Sequence, residues 1–174
     1  AARSVVLDFA DERSVVQTRF ATSTLALLRA HLGHQLEPVA TDAERALAME
    51  LPVSATAHNH FIFLGRGWTV GLAHEAALKM REAAGAWTES YPALEYRHGP
   101  ISAAGPRSLV WALGDVPHDV LHDLQPTGAT SLTVSELDPM AQLILVHRLA
   151  VTCAKGSGRD PDQPLHLSRS VILD

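Results

Sequence analysis

The chain has 174 residues, 47% of them apolar and 19% charged, with a formal net charge of −5. This is the balance of a globular chain that buries a core, and the negative charge argues against nucleic acid or an anionic membrane as principal partner. No apolar run approaches the ~18–20 residues of a membrane span, the opening AARSVVLDFA lacks a secretory-signal pattern, and the one cysteine, Cys153, cannot form an internal disulfide. Cys153 lies in an apolar helical stretch and reads as a small core residue in a reducing, cytoplasmic setting.

Val5 to Phe9 is a short apolar run suited to a buried strand. A helical segment follows, with apolar residues at Val15, Val16, Phe20, Leu25, Leu28 and Leu32, and Gly33 ends it. Thr41 to Leu51 has helical spacing and is stopped by Pro52. Then comes a regular alternation: strand His60 to Leu64, turn Gly65 to Gly67, helix Trp68 to Ala84 broken by Gly85, strand Ala86 to Ser90, strand Ser108 to Leu113, helix Val116 to Leu124, strand Ser131 to Val134, and a long helix Pro139 to Ala154 with proline at its start. The tail mixes turn residues with a last short apolar run. Alternating strands and helices predict an α/β domain, a three-layer αβα sandwich on an open, mainly parallel five-stranded sheet of flavodoxin-like type. An initial Ala and an immediate strand-like run lead us to expect residues 1–40 as the last strand and linking helix of a preceding lobe, with 41–174 as the domain proper.

Three stretches could carry chemistry. Gly65 and Gly67 lie between a strand end and a helix start, where open α/β sheets bind ligands. A dinucleotide site wants a third glycine three residues later; Gly71 is one residue late, although Glu89 stands where a ribose-binding acid would. On the following helix, Leu72, Ala76, Met80 and Ala83 form the stripe that faces the sheet. Glu75, Lys79 and Glu82 share a neighbouring face, either a solvated ion-pair ladder or a carboxylate–ammonium–carboxylate row beside a pocket that could serve proton abstraction next to a carbonyl. The loop TESYPALEYRHGP holds Glu89, Glu95, Arg97 and His98, closed by Gly99-Pro100, and a histidine on such a loop is a candidate acid–base group. Metal ligands are not expected. His74-Glu75 begins like a zinc-protease motif, but the second histidine's position is Leu78. His118 and His122, interleaved with Asp115, Asp119 and Asp123, read as a solvated face, and His58 and His60 show no carboxylate partner nearby in sequence.

HEAALKMRE followed by AWTESYPALEYRHGP resembles the second sugar-isomerase (SIS) domain of the glucosamine-6-phosphate synthases, and is closer to the amino-sugar deaminase/isomerase and fructosamine-phosphate deglycase branches. GRDPDQPLHLSRSVILD is similar to the family's ending, and ERSVVQTRFAT to the segment that leads from its first lobe into the linking helix. These four stretches follow family order over nearly the whole chain. The resemblance implies that Glu82 is the carboxylate that moves a proton between C1 and C2 of a ring-opened sugar. It implies that His98 is the ring-opening histidine, contributed across a subunit interface, and that Glu75 and Lys79 are the supporting pair. Val15, Gln17 and Ser168 align with sugar-site positions. Arg169 stands where the synthases carry an imine-forming lysine, and arginine, always protonated, cannot form that imine.

The family's Ser/Thr-rich phosphate loop has no counterpart here, since it belongs to the first lobe. The resemblance therefore implies the acid–base half of a phosphosugar isomerase, deaminase or deglycase, incomplete as a single chain. It would act as a homodimer on a sugar phosphate, without cofactor or metal and with no nucleic acid or membrane partner. The alternative is a regulatory SIS domain that binds phosphosugars without converting them, or a purely structural lobe.

Overall fold

The structure, a computed structural model, describes residues 4–168. Four parallel strands form one sheet in the order β2-β1-β3-β4: β1 (His60–Gly65), β2 (Trp87–Pro92), β3 (Ser108–Leu113) and β4 (Thr130–Thr133). The helices are α1 (Arg19–His31), α2 (Glu37–Ala48), α3 (Thr69–Ala84), the short α4 (Ala93–Tyr96) and α5 (His118–His122), and α6 (Pro139–Gly156).

The three layers follow from the pleat. Along β1 and β3, Phe61, Phe63, Leu109, Trp111 and Leu113 point to one side, where they meet α3 and α6. Ile62, Leu64, Val110 and Ala112 point to the other, against Tyr96, Val120 and Leu124. Burial on both faces is what turns these strands into unbroken apolar runs rather than alternating ones. On α3 the stripe Leu72, Ala76, Met80 and Ala83 is buried as its spacing requires. Ala73, Ala77 and Ala84 bring α3 close to the sheet and α6.

Gly65 ends β1, and Gly67, at φ +57°, makes the turn into α3. Thr69 closes that turn: the Arg66 backbone N–H donates to its Oγ1 at 2.8 Å, and Oγ1 donates to the Arg66 carbonyl at 3.1 Å. Glu89, the candidate ribose acid, is not at the end of a strand. It sits within β2 opposite Ile62, where Tyr91 Oη donates to it at 3.1 Å. The dinucleotide alternative loses its geometry on that count.

Other departures have local causes. Val5 to Phe9 is not a strand: Asp8–Ala10 is a turn of 3-10 helix, and Val5, Val6 and Phe9 are exposed. Among the described residues no strand lies beside this run, and a strand needs a ladder. Four strands are described where five were expected, Val5 to Phe9 being the one that does not form, and the final apolar run lies outside the described residues. The helix expected from Val15 begins at Arg19, capped from a distance. The Glu12 carboxylate accepts from the backbone N–H of Thr18 (2.9 Å), Arg19 (2.7 Å) and Phe20 (3.1 Å). Burial pushes this carboxyl up, but its donors, Phe20 and Thr18 foremost, outweigh that and hold it below its ordinary value. Glu12→Ala should therefore lower thermal stability by about 1 kcal/mol. Because the folded pKa is depressed, the deficit should be full at neutral pH and shrink as pH falls through that value. A deficit equal at neutral and acidic pH would contradict the assignment.

α1 docks through polar contacts. Arg29 makes a bidentate pair with Asp138 at 2.7 and 2.8 Å, and its guanidinium lies 4.9 Å from the Trp68 ring centroid. Asp138 in turn caps α6 by accepting from the Met140 N–H at 2.9 Å. Arg148 of α6 donates to the carbonyls of Ala46 and Met49, both at 2.7 Å, closing the C-terminal end of α2. Cys153 is half-buried, with Sγ 3.8 Å from the Ala55 carbonyl. Among the described residues no helix is long and apolar enough to cross a membrane.

Candidate functional site

The last turns of α3 carry Glu75, Lys79 and Glu82. Met80 and Ala83 must face the sheet, so this row falls at the edge of the helix's buried side, and Lys79 is only 6% exposed. A buried ammonium needs partners. Lys79 Nζ donates to Glu82 Oε2 at 2.6 Å and lies 3.7 Å from Glu75 Oε1. Glu75 Oε1 is buried without a hydrogen bond. Burial raises the Glu75 carboxyl pKa, Lys79 opposes this, and Glu82 adds to it. The row is thus an ion-pair cluster with its cation inside, rather than a solvated ladder.

Lys79 forms part of the wall of an open cavity of ≈ 790 Å³. Ser14, Val16 and Thr18 contribute from the segment before α1, and His147 and Lys155 from α6. A second cleft, of ≈ 450 Å³, adjoins it, the two sharing Ala83 and Asp160, and Glu82 lines it together with residues 158–159 and 163–166. The expected residues are therefore distributed as follows. Glu75, Lys79 and Glu82 come together. Val15 and Gln17 are half-buried and alternate with the side chains that line the larger cavity. Ser168 is exposed, and Arg169 lies outside the described residues.

His98 is exposed, in the turn after α4. It stands beyond the C-terminal end of β2, while Glu82 lies in the last turn of α3, which returns to the N-terminal end of that strand. A six-residue strand spans about 17 Å, so the two do not meet on one small ligand within a single chain. Its neighbour Arg97 holds the turn: Nε and Nη1 donate to Asp123 Oδ2 and Asp119 Oδ2, each at 3.0 Å. Arg97 also holds the Asp119 carboxyl below its ordinary value. Asp119 on α5 and Asp123 at its C-cap are thus the anchor of the histidine turn, a role their i, i+4 spacing could have suggested once a loop arginine was sought. Among the described residues no cluster has the make-up of a metal site.

His60 corrects an expectation. It has a carboxylate neighbour, Glu89 Oε2 at 3.7 Å from Nε2, brought there by strand pairing. Its Nδ1 is 3.1 Å from Ser108 Oγ, and its ring stacks on Trp87 at 4.0 Å. Burial lowers its pKa against the opposing pull of Glu89. Among the residues of the larger cavity that the sequence reading did not single out are Glu12, whose capping bonds span six to eight residues, and His147, a lone histidine inside an apolar helix.

No protein-family model matches the chain. It is 30% identical over 153 residues to the glutamine–fructose-6-phosphate aminotransferase (isomerizing) of Bacteroides thetaiotaomicron, covering 72% of this chain and 25% of that protein. The namesake enzyme of Thermosynechococcus vestitus is 33% identical over 142 residues, covering 66% and 23%. The chain thus spans about a quarter of the length of the curated relatives it matches. Among solved structures, glucosamine-6-phosphate deaminase from Thermotoga maritima superposes with a TM-score of 0.80 and 25% identity, over 94% of this chain and 59% of that one. The tagatose-6-phosphate ketose/aldose isomerase of Escherichia coli shares the fold at a TM-score of 0.71 and 18% identity, over 93% and 55%.

Proposed function

From the premise that this chain is a domain of the sugar-isomerase (SIS) family, we propose that it supplies the acid–base face of a site acting on ring-opened 6-phosphosugars. The observation that carries this reading is the Glu75–Lys79–Glu82 cluster, its ammonium in the wall of a cavity large enough for a hexose phosphate. Glu82 is the group that takes a proton from one of C1 and C2 and returns it to the other. Lys79, donating to it at 2.6 Å, fixes the carboxylate's position, and Glu75 completes the pairing of the buried cation. His98 opens the ring in a site built partly by another copy of the chain, which accords with its distance from Glu82. Val15, Gln17 and Ser168 are assigned to the sugar's surroundings only in the assembled site, since none lines either cavity of the single chain, and the phosphate is gripped mainly by another lobe. The product is the isomerised sugar or, where C2 carries an amine, the ketose left after water hydrolyses the resulting C2 imine and releases ammonia.

The relatives support this substrate class, because fructose 6-phosphate, glucosamine 6-phosphate and tagatose 6-phosphate appear in their names. The intact protein, incubated in D₂O with each of these sugars, should exchange a C1 or C2 proton for deuterium, read as loss of the ¹H resonance. Binding without exchange would favour the regulatory reading instead. Neither binding nor exchange with any of the three would overturn both.

A further inference from the structure

His147, at the middle of α6, lines the larger cavity and is near Lys79, and its Nε2 is buried beneath the cavity wall with no hydrogen-bond partner among the described residues. A buried polar atom left unpaired is costly and unusual, and it calls for an explanation. Packing alone does not supply one: the residues around this position on α6, Leu143, Ile144, Ala150 and Val151, are apolar, and a leucine would suit them without an orphaned nitrogen.

We propose that His147 is a further substrate-binding residue: when a sugar enters the cavity, the imidazole that lines it turns to bring Nε2 to a hydroxyl on the sugar's carbon chain, completing the missing hydrogen bond. This rests on the functional reading above and adds a specificity contact to it. A hydroxyl fits better than a phosphate for a physical reason. Burial, reinforced by the Lys79 ammonium and only partly opposed by the Glu12 carboxylate, lowers the pKa of this imidazole to about 4. At neutral pH it is therefore uncharged, offering one donor and one acceptor rather than a cation. A hydroxyl satisfies either tautomer, whereas an anion would be held better by Lys155, which lines the same cavity.

The test titrates fructose 6-phosphate, tagatose 6-phosphate and glucosamine 6-phosphate into the intact protein by calorimetry, with inorganic phosphate as control. His147→Leu should weaken whichever sugar phosphate the wild type binds by about 5- to 10-fold, the worth of a neutral hydrogen bond. It should leave the response to inorganic phosphate unchanged and keep or raise Tm, because the orphaned nitrogen is gone. His147→Gln, which keeps a donor and an acceptor, should recover most of the affinity and serves in place of leucine if that variant folds poorly. Wild-type binding with His147→Leu equally tight would sink this contact and leave the proposed function standing. A wild type that binds none of the three sugars would sink the proposed function, and this inference with it.

Discussion

Glu82→Gln should reduce turnover of the sugar phosphate by two to four orders of magnitude while leaving its binding within a few-fold of wild type. General-base catalysis contributes on that scale, and an amide cannot accept the C–H proton. The fold should survive the change, because the Gln Oε1 can still accept from Lys79, now 2.6 Å from the carboxylate, and Glu75 remains 3.7 Å away as the counter-charge. A loss confined to kcat identifies Glu82 as acting in the transition state, and a loss confined to KM would make it a binding group. Unchanged kcat would remove Glu82 from the proton path altogether. The measurement is steady-state kinetics of the intact protein, paired with deuterium exchange at C1 and C2.

Gly65→Ala should be strongly destabilising for the addition of a single methyl group. A Cβ built at residue 65 falls 2.3 Å from the Thr69 carbonyl oxygen and 2.5 Å from the Val70 backbone nitrogen. Both are backbone atoms in the first turn of α3, so nothing flexible can give way, and the helix must move off β1. A loss of about 3 kcal/mol is expected, or roughly 6–12 °C in Tm for a domain of this size. Gly71→Ala is the contrast. No atom lies within 4 Å of its Cβ and its φ is negative, so it should be neutral or stabilise by up to about 1 kcal/mol. Equal effects at the two glycines in thermal unfolding would refute this account. The pair also bears on what the glycine turn is for, because Gly65 is explained by helix–strand packing alone, without a nucleotide.

The fold was largely legible because its signals are local. Phe61 to Leu64 and Leu109 to Leu113 are apolar without interruption, which two-sided burial demands. Leu72, Ala76, Met80 and Ala83 keep the helical period, and Gly85, at φ +60°, ends α3 where a left-handed residue was needed. The run at Val5 to Phe9 misled for the complementary reason: its composition suits a strand, but a strand exists only by pairing.

The sequence by itself determined that Glu75, Lys79 and Glu82 share one face of a helix, because 3.6 residues per turn leaves no other arrangement. Tertiary structure alone decided that this face is half-buried against α6, so that Lys79 is an interior cation held by two carboxylates rather than a solvated one. It alone placed His98 beyond the opposite end of the strands from Glu82. It alone set His60 beside Glu89 and His147 beside Lys79, across 29 and 68 residues of chain. Periodicity fixes neighbours within an element, but which faces meet, and hence which charges lose their water, is settled only when the elements pack.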